Sequence, residues 1–422
     1  MTQKISARRR NKKVNQPALH IHNVHFSRVG EIWPGTDGKR GDAFRSALKR
    51  LSRRALVMAG PDDAVIVDGP VEERYLDFLR SVGAGGSTVL HPAVSGGINL
   101  MDDALRTPEI LEFVRGWAGS VEPYMIGRGE EKLMEAAGRA PFTATAEVVD
   151  ILNDKVFFLR LAEDLGLPIV PNFVGDSNST ADRLRKWNDG PVIVRGARSV
   201  GGSRVFTASD EAEREKIAAR IAKAGGGLYV VQGKVSTRSS PNLQFYVTPG
   251  EVTLFGETLQ LLTDGLRHTG NLFGGHIGDP ARDEILSQGV ALAKEAALLG
   301  YTGALGVDFI VTADGKVYAV EFNARSNTST SAIWFMNRFF TGDPLAMADG
   351  AKGAFVRLPS PSRDRSGGRW LELLGGLAFD PSKGAGIIPY DTGGPELTAL
   401  IVGRNEEERS TLAQEARRVA EG

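Results

Sequence analysis

The residues best placed to do chemistry lie in the run Gly306-Val-Asp308-Phe-Ile-Val-Thr-Ala-Asp314-Gly315-Lys-Val-Tyr-Ala-Val-Glu321-Phe-Asn323-Ala-Arg325. Asp314-Gly315 between two apolar, β-branched runs is a strong hairpin signal, read here as a two-residue turn of the primed type. Such a turn pairs Ala313 with Lys316 and sets Asp308 directly opposite Glu321. Side chains two apart on a strand share a face, so Asn323 joins them. Val307, Phe309, Val311, Val320 and Phe322 then fall on the opposite, apolar face. Directly opposed carboxylates repel, and a half-buried pair must hold a proton or meet a cation. Three hard oxygen ligands without Cys or His suit Mg²⁺ or Mn²⁺, ions that also take phosphate oxygens. Taken alone, the same alternation also fits the solvated face of an ordinary hairpin.

Upstream segments supply what a polyphosphate needs. Pro191-Val-Ile-Val-Arg195 is a strand ending in a cation, followed by a glycine-rich turn through Ser199, Gly201, Gly202 and Ser203 into a second strand from Val205. Glycines let backbone N–H groups approach phosphate closely. Asn153-Asp154-Lys155 brings another cation, and Tyr229-Val-Val-Gln232-Gly-Lys-Val235 is a strand passing into a bend that can offer polar groups to an adenine edge. Between these and the hairpin, Leu266–His276 carries small, polar and cationic residues. It reads either as a substrate-binding segment, with Arg267 and His276 as contacts, or as a surface Ω-like loop. His20-x-His22-x-x-His25 has a metal-like look, but on a strand His25 points away from the other two. Trp334, Phe335, Phe339 and Phe340 read as core.

Taken in order, these pieces resemble the ATP-grasp superfamily of carboxylate–amine ligases. The run is Asp154-Lys155…Leu165-Gly-Leu-Pro168, Pro191-Val-Ile-Val-Arg195…Gly201-Gly202, Val231-Gln232…Val235, Gly303-Ala-Leu-Gly-Val-Asp308 and Glu321-Phe-Asn323-Ala-Arg325. The segment Ile387-Ile-Pro-Tyr-Asp-Thr-Gly393 with its terminal strand and helix is similar to the C-terminal part of pheganomycin-type peptide ligases. The resemblance implies ATP and Mg²⁺ (or Mn²⁺) as cofactors. Lys155 and Arg195 would hold the phosphates, Ser199, Gly201, Gly202 and Ser203 would close over them as a lid, and Gln232 and Val235 would flank adenine. Asp308, Glu321 and Asn323 would hold the metal, and Arg325 would meet the reacting group. Arg195 stands where the family usually has Lys, and Gln232 where it usually has Glu. The implied reaction joins a carboxylate, activated as an acyl phosphate, to an amine or peptide. A phosphoryl transferase, a carboxylase and a non-catalytic ATP-binding module are the alternatives.

The elements that must position these residues divide the chain. A basic tail, residues 1–17, precedes strands alternating with helices to about residue 145. The strand-like runs are Leu19–Phe26, Ala55–Met58, Ala64–Val67, Ser87–Leu90 and Glu122–Ile126, with helices at Gly41–Leu51, Val71–Val82 and Thr107–Trp117. That alternation implies a mostly parallel, Rossmann-like α/β domain, which the resemblance makes a pre-ATP-grasp domain. No glycine fingerprint for a dinucleotide accompanies it. Residues 146–350 would be the two-subdomain ATP-grasp fold, α+β in its catalytic part, entered through one long helix over Thr145–Gly166. Residues 351–422 would be a linker and a small α/β piece.

Composition sets the outer limits. With 422 residues, 41% hydrophobic and 24% charged, the chain can build a core. The 51 bases balance 51 acids, so no net field draws it to nucleic acid or membrane. Six bases and no acid lie in residues 1–16, which leaves 45 bases against 51 acids elsewhere; the tail reads as a solvated, disordered arm or an RNA- or lipid-touching one. No apolar run follows its arginines, so it is not read as a signal peptide, and the expected setting is cytoplasmic. The absence of cysteine excludes disulfides, thiolate metal sites and a cysteine nucleophile. Small-molecule carboxylates and amines or peptides are the expected partners, with oligomeric state left open.

Overall fold

Short apolar runs bounded by turns form the first sheet. The computed structural model describes residues 16–24, 38–198, 204–224, 226–263, 267–274, 280–348, 350–359, 366–392 and 396–421. Strands β1 (Ala18–Ile21), β2 (Ala64–Ile66), β3 (Thr88–Leu90) and β4 (Ser120–Pro123) lie in the order β3-β2-β1-β4, all parallel. The central pair β1 and β2 is almost wholly buried, as parallel strands covered on both faces must be. One expected strand is absent. Ala55–Met58 belongs to a helix, Arg54–Met58, buried on every side. A short apolar run buried all round carries no periodicity that separates helix from strand.

The helix expected over Thr145–Gly166 is two helices, Ala146–Leu152 and Lys155–Asp164. Asp154 breaks it. Its Oδ1 accepts from the N–H groups of Val156 (2.9 Å) and Phe157 (3.3 Å), capping the second helix. Lys155 therefore becomes a first-turn residue, and its own N–H donates to the Ala197 carbonyl at 3.0 Å. That carbonyl lies just beyond β6 (Val192–Gly196), which with β5 (Asn172–Gly175), β7 (Val205–Ala208) and β8 (Tyr229–Gly233) forms an antiparallel sheet in the order β5-β8-β6-β7.

The third sheet is the floor of the molecule. Among the described residues it has nine strands: β9 (Thr237–Ser239), β10 (Pro241–Thr248), β11 (Glu251–Thr263), β12 (Arg267–Phe273), β13 (Gly303–Thr312), β14 (Val317–Asn323), β15 (Lys352–Pro359), β16 (Gly386–Asp391) and β17 (Glu396–Gly403). Their order is β14-β13-β10-β11-β12-β15-β17-β16, with β9 on β13. The strands of residues 351–422 thus continue this sheet rather than forming one of their own. Leu266–His276 is not a loop over its described part, since 267–273 is strand β12 in the sheet's middle. One face of β10 and β13 packs on helix Ala281–Leu298 through Leu243, Phe245, Val307 and Phe309. Trp334 and Phe335 pack in a second core with Leu56 and Met58 of the N-terminal domain, whereas Phe340 is exposed at its margin. Arg338 ties the two together, donating to the carbonyls of Met58, Ala59 and Gly83.

Candidate active site

Asp308 of β13 faces Glu321 of β14, by a route that differs from the simple hairpin. The turn holds three residues, with the Thr312 N–H donating to Lys316 O (2.9 Å) and Gly315 at φ +87°. Left alone, that longer turn would shift every pair by one. A bulge between Ala319 and Glu321 takes up the extra residue and restores the opposition of Asp308 and Glu321. Val320, expected in the apolar face, is the bulged residue and lines the cavity, while Ala319 and Val317 enter the core.

Asp308 is held by amides. Asn242 of β10 and Gln260 of β11 donate to its Oδ1 at 2.7 and 2.8 Å, and Asn323 donates to its Oδ2 at 2.9 Å. Burial and the neighbouring Glu321 charge push its carboxyl up, to about 6. Glu321 goes the other way. Burial works to raise it, but Lys155 Nζ at 2.9 Å and Arg195 Nη1 at 3.7 Å outweigh that and hold it below the usual range. Both cations are buried. Burial lowers Arg195, opposed by Glu321 and Asp308.

Gln232, which lines the cavity, is also tied to Arg195. Its Oε1 accepts from Arg195 Nη2 at 2.7 Å and its Nε2 donates to Val170 O at 3.2 Å, so it fixes the guanidinium. Val235 and neighbours of the bend line the cavity beside it. Arg325 is fixed as well, donating to Asn323 Oδ1 (2.5 Å), Ser326 O (3.1 Å) and the Tyr124 hydroxyl (3.2 Å).

One cavity of about 950 Å³ joins these groups: Lys155, Arg195, Gln232, Val235, Asp308, Glu321, Asn323, Arg325 and Arg267 all line it. Ser199, Gly201, Gly202, Ser203 and His276 lie outside the described residues, as does His25. His20 Nε2 meets Asp63 Oδ2 at 3.0 Å, and the buried His22 packs its ring edge-on against Tyr124. The sequence passes over Asn242, Gln260 and Arg357 and carries His268 and Asn271 only as members of the Leu266–His276 segment, and all five line the cavity. The signal was there for two of them. Asn242, buried, and Gln260, half-buried, interrupt the apolar alternation of long strands with amides.

The donor set fits a hard divalent ion: two carboxylates and an amide oxygen lining one cavity. Asn323 presents its N–H to Asp308 and its oxygen to Arg325, so it would turn its amide to join as a ligand.

Residues 52–139 match the family described as Pre ATP-grasp domain. A relative, the carbamoyl phosphate synthase arginine-specific large chain of Geobacillus stearothermophilus, is 23% identical over 219 residues, 51% of this chain and 20% of that one. The chain thus spans about a fifth of that relative's length. The L-amino acid ligase of Bacillus licheniformis shares the fold with a TM-score of 0.57 at 14% identity, over 96% of this chain and 98% of that one. The ATP complex of biotin carboxylase from Campylobacter jejuni does so at 0.60 and 14%, over 96% and 92%. Residues 52–139 are thus similar to pre-ATP-grasp domains, and the chain has the fold of these ATP-grasp structures.

Proposed function

We propose that this protein is an ATP-dependent ligase that activates a substrate carboxylate as an acyl phosphate and joins it to an amine, an amino acid or a peptide, releasing ADP and phosphate. The observation that carries the reading is the convergence of two buried cations, Lys155 and Arg195, on Glu321, itself opposed to Asp308. Two cations balanced by two carboxylates form a site that can exchange both sets of partners for a metal-bearing polyphosphate.

In that exchange Lys155 and Arg195 leave Glu321 for phosphate oxygens, and Gln232 keeps Arg195 aimed as they do. Leu159, Val170, Ile193 and Val205 offer an apolar wall to the base. Asp308, Glu321 and Asn323 would hold Mg²⁺ or Mn²⁺, which when bound neutralises phosphate charge. Arg325, clamped from three sides, orients the substrate carboxylate. One carboxylate oxygen attacks the γ-phosphorus as the bond to the β-bridging oxygen breaks and ADP leaves. The amine nitrogen then attacks the acyl carbon, the C–O bond to phosphate breaks, and the nitrogen loses its proton. No side chain acts as nucleophile; the protein supplies position and fixed charge.

The likeness to biotin carboxylase favours a second reading, in which bicarbonate is the carboxylate activated. An ADP-release screen over amino acids and short peptides, singly, in pairs and with bicarbonate, separates the two. Amine-dependent release is expected, and Glu321→Ala should abolish it with the fold intact. Release driven by bicarbonate alone would move the assignment to a carboxylase, and unchanged turnover in the variant would remove it.

A further inference from the structure

The cavity does not end at the metal pair. Asp308 on β13 sits opposite Asn242 on β10, and Asn242 opposite Thr258 on β11. Gln260, two residues on, sits opposite Asn271 on β12, and Asn271 opposite Phe355 on β15. Arg357 lies two residues past Phe355, on the same face. These positions make a polar row across the sheet, and Asp308, Asn242, Gln260, Asn271 and Arg357 line the cavity along it.

The far end of the row is cationic. A bulge between Leu261 and Leu262 shifts the pairing, with Gly270 opposite Leu261 and His268 opposite Leu262. The shift brings His268 to the face of Asn271, where its Nε2 meets Asn271 Oδ1 at 2.8 Å and its ring stacks on Phe355. Burial drives the His268 pKa down to about 4, with Arg357 and the buried Arg54 of the N-terminal domain adding positive charge. Arg267 and Arg357 line the cavity together with His268, so an anionic group entering this end meets positive charge.

We propose that the acid substrate is an elongated dianion whose second anionic group, a carboxylate or a phosphate, is held by Arg357 at the end of the cavity that His268 and Asn271 also line. The inference rests on the ligase reading and names the substrate class for the same site. The sheet supplies the ruler. From β13 to β15 is four strand spacings, about 19 Å at most. An extended peptide advances about 3.3–3.6 Å per residue, so five or six residues bound the length. Side chains lean inward from both ends, and a tripeptide suffices.

Calorimetry on the full chain with acetylated tripeptides tests this without nucleotide or turnover. The pairs are acetyl-Glu-Ala-Ala against acetyl-Gln-Ala-Ala, and acetyl-phosphoserine-Ala-Ala against acetyl-Ser-Ala-Ala. At least one acidic member should bind tenfold or more tighter than its neutral partner, and which one does so separates carboxylate from phosphate. Arg357→Gln should erase the preference and Arg357→Lys should keep part of it. His268→Gln, a second test should Arg357→Gln fail to fold, should weaken it severalfold. Equal affinities in the wild type, or a preference that survives loss of the Arg357 charge, would overturn the site. Preferred binding of acidic peptides without ADP release under any amine would leave the anion site standing and remove the ligase reading. ADP release with neutral acids and no acidic preference would do the reverse.

Discussion

Replacing Glu321 by glutamine separates its two roles, because the variant keeps the shape and loses the charge. In an effective dielectric of about 20, a unit pair at the 2.9 Å of Lys155–Glu321 attracts by about 6 kcal/mol, and one at the 3.7 Å of Arg195–Glu321 by about 4.5 kcal/mol. Desolvation offsets most of this, and breaking a buried pair by removing one partner costs about 3–5 kcal/mol. The Glu321 side chain is 25% exposed, which places the loss at the low end, about 3 kcal/mol. For a chain of 422 residues that is a fall in Tm of about 3–4 °C, read by scanning calorimetry. A second consequence runs the other way. In the wild type a metal-free polyphosphate must displace Glu321 from both cations, whereas in Glu321→Gln it need not. Even half of 3 kcal/mol makes tripolyphosphate bind about tenfold tighter to the variant, while Mg²⁺-dependent ADP release is lost. A variant that melts with the wild type and binds tripolyphosphate no better would refute the charge exchange, whatever its turnover.

Asp308 gives a pH signature in the metal-free protein. Its carboxyl sits at about 6 when folded against an ordinary 3.8, so its contribution is full below about pH 4 and is lost as pH rises through 6, by up to about 3 kcal/mol. Urea midpoints between pH 4.5 and 7 should show that slope in the wild type and a flatter one in Asp308→Asn; identical slopes would contradict the assignment. Asp154→Ala removes the cap that starts the helix at Lys155, worth about 1 kcal/mol, and the partner of Arg198 at 3.0 Å. The KM for ATP should rise about fivefold with kcat nearly unchanged; a fall confined to kcat would mean that Asp154 acts in the chemistry instead.

Much of the site was legible because it rests on short-range rules, and what was missed turned on tertiary choices. The opposition of Asp308 and Glu321 follows from strand parity plus a turn, yet two departures, a longer turn and a bulge at Val320, cancel to produce it. Local sequence names a turn at Asp314-Gly315 but does not count its residues. The break at Asn153-Asp154 was misread as continuous helix because apolar spacing runs straight through it. What decides it is Asp154 capping the new helix while Asn153 Oδ1 accepts from the Ala324 N–H at 2.9 Å, a contact across most of the domain. Ala55–Met58 failed for the opposite reason, since burial on every side erases the pattern that identifies a helix. The far end of the cavity, at Arg357, was the least legible. Arg357 lies 49 positions from Asp308 and reaches the same face only because β15 joins the sheet beyond β12.

The buried amides along the floor explain why the two carboxylates can sit together before any ligand arrives. An amide in a core costs free energy unless every polar atom is paired, so a row of them is retained where something depends on it. Gln244 donates to Asn242 Oδ1 (3.0 Å) and Ser329 (2.8 Å) and accepts from Thr330 (2.6 Å), anchoring the row to the start of helix Thr330–Thr341. Asn242 in turn spends its N–H on Asp308. Asp308 is thereby solvated by neutral amides, and Glu321 by two cations. The unequal treatment of two facing carboxylates, one held by neutral donors and one by cations, is what the proposed exchange requires: Glu321 would be the member to release Lys155 and Arg195 to phosphates while Asp308 keeps its amides.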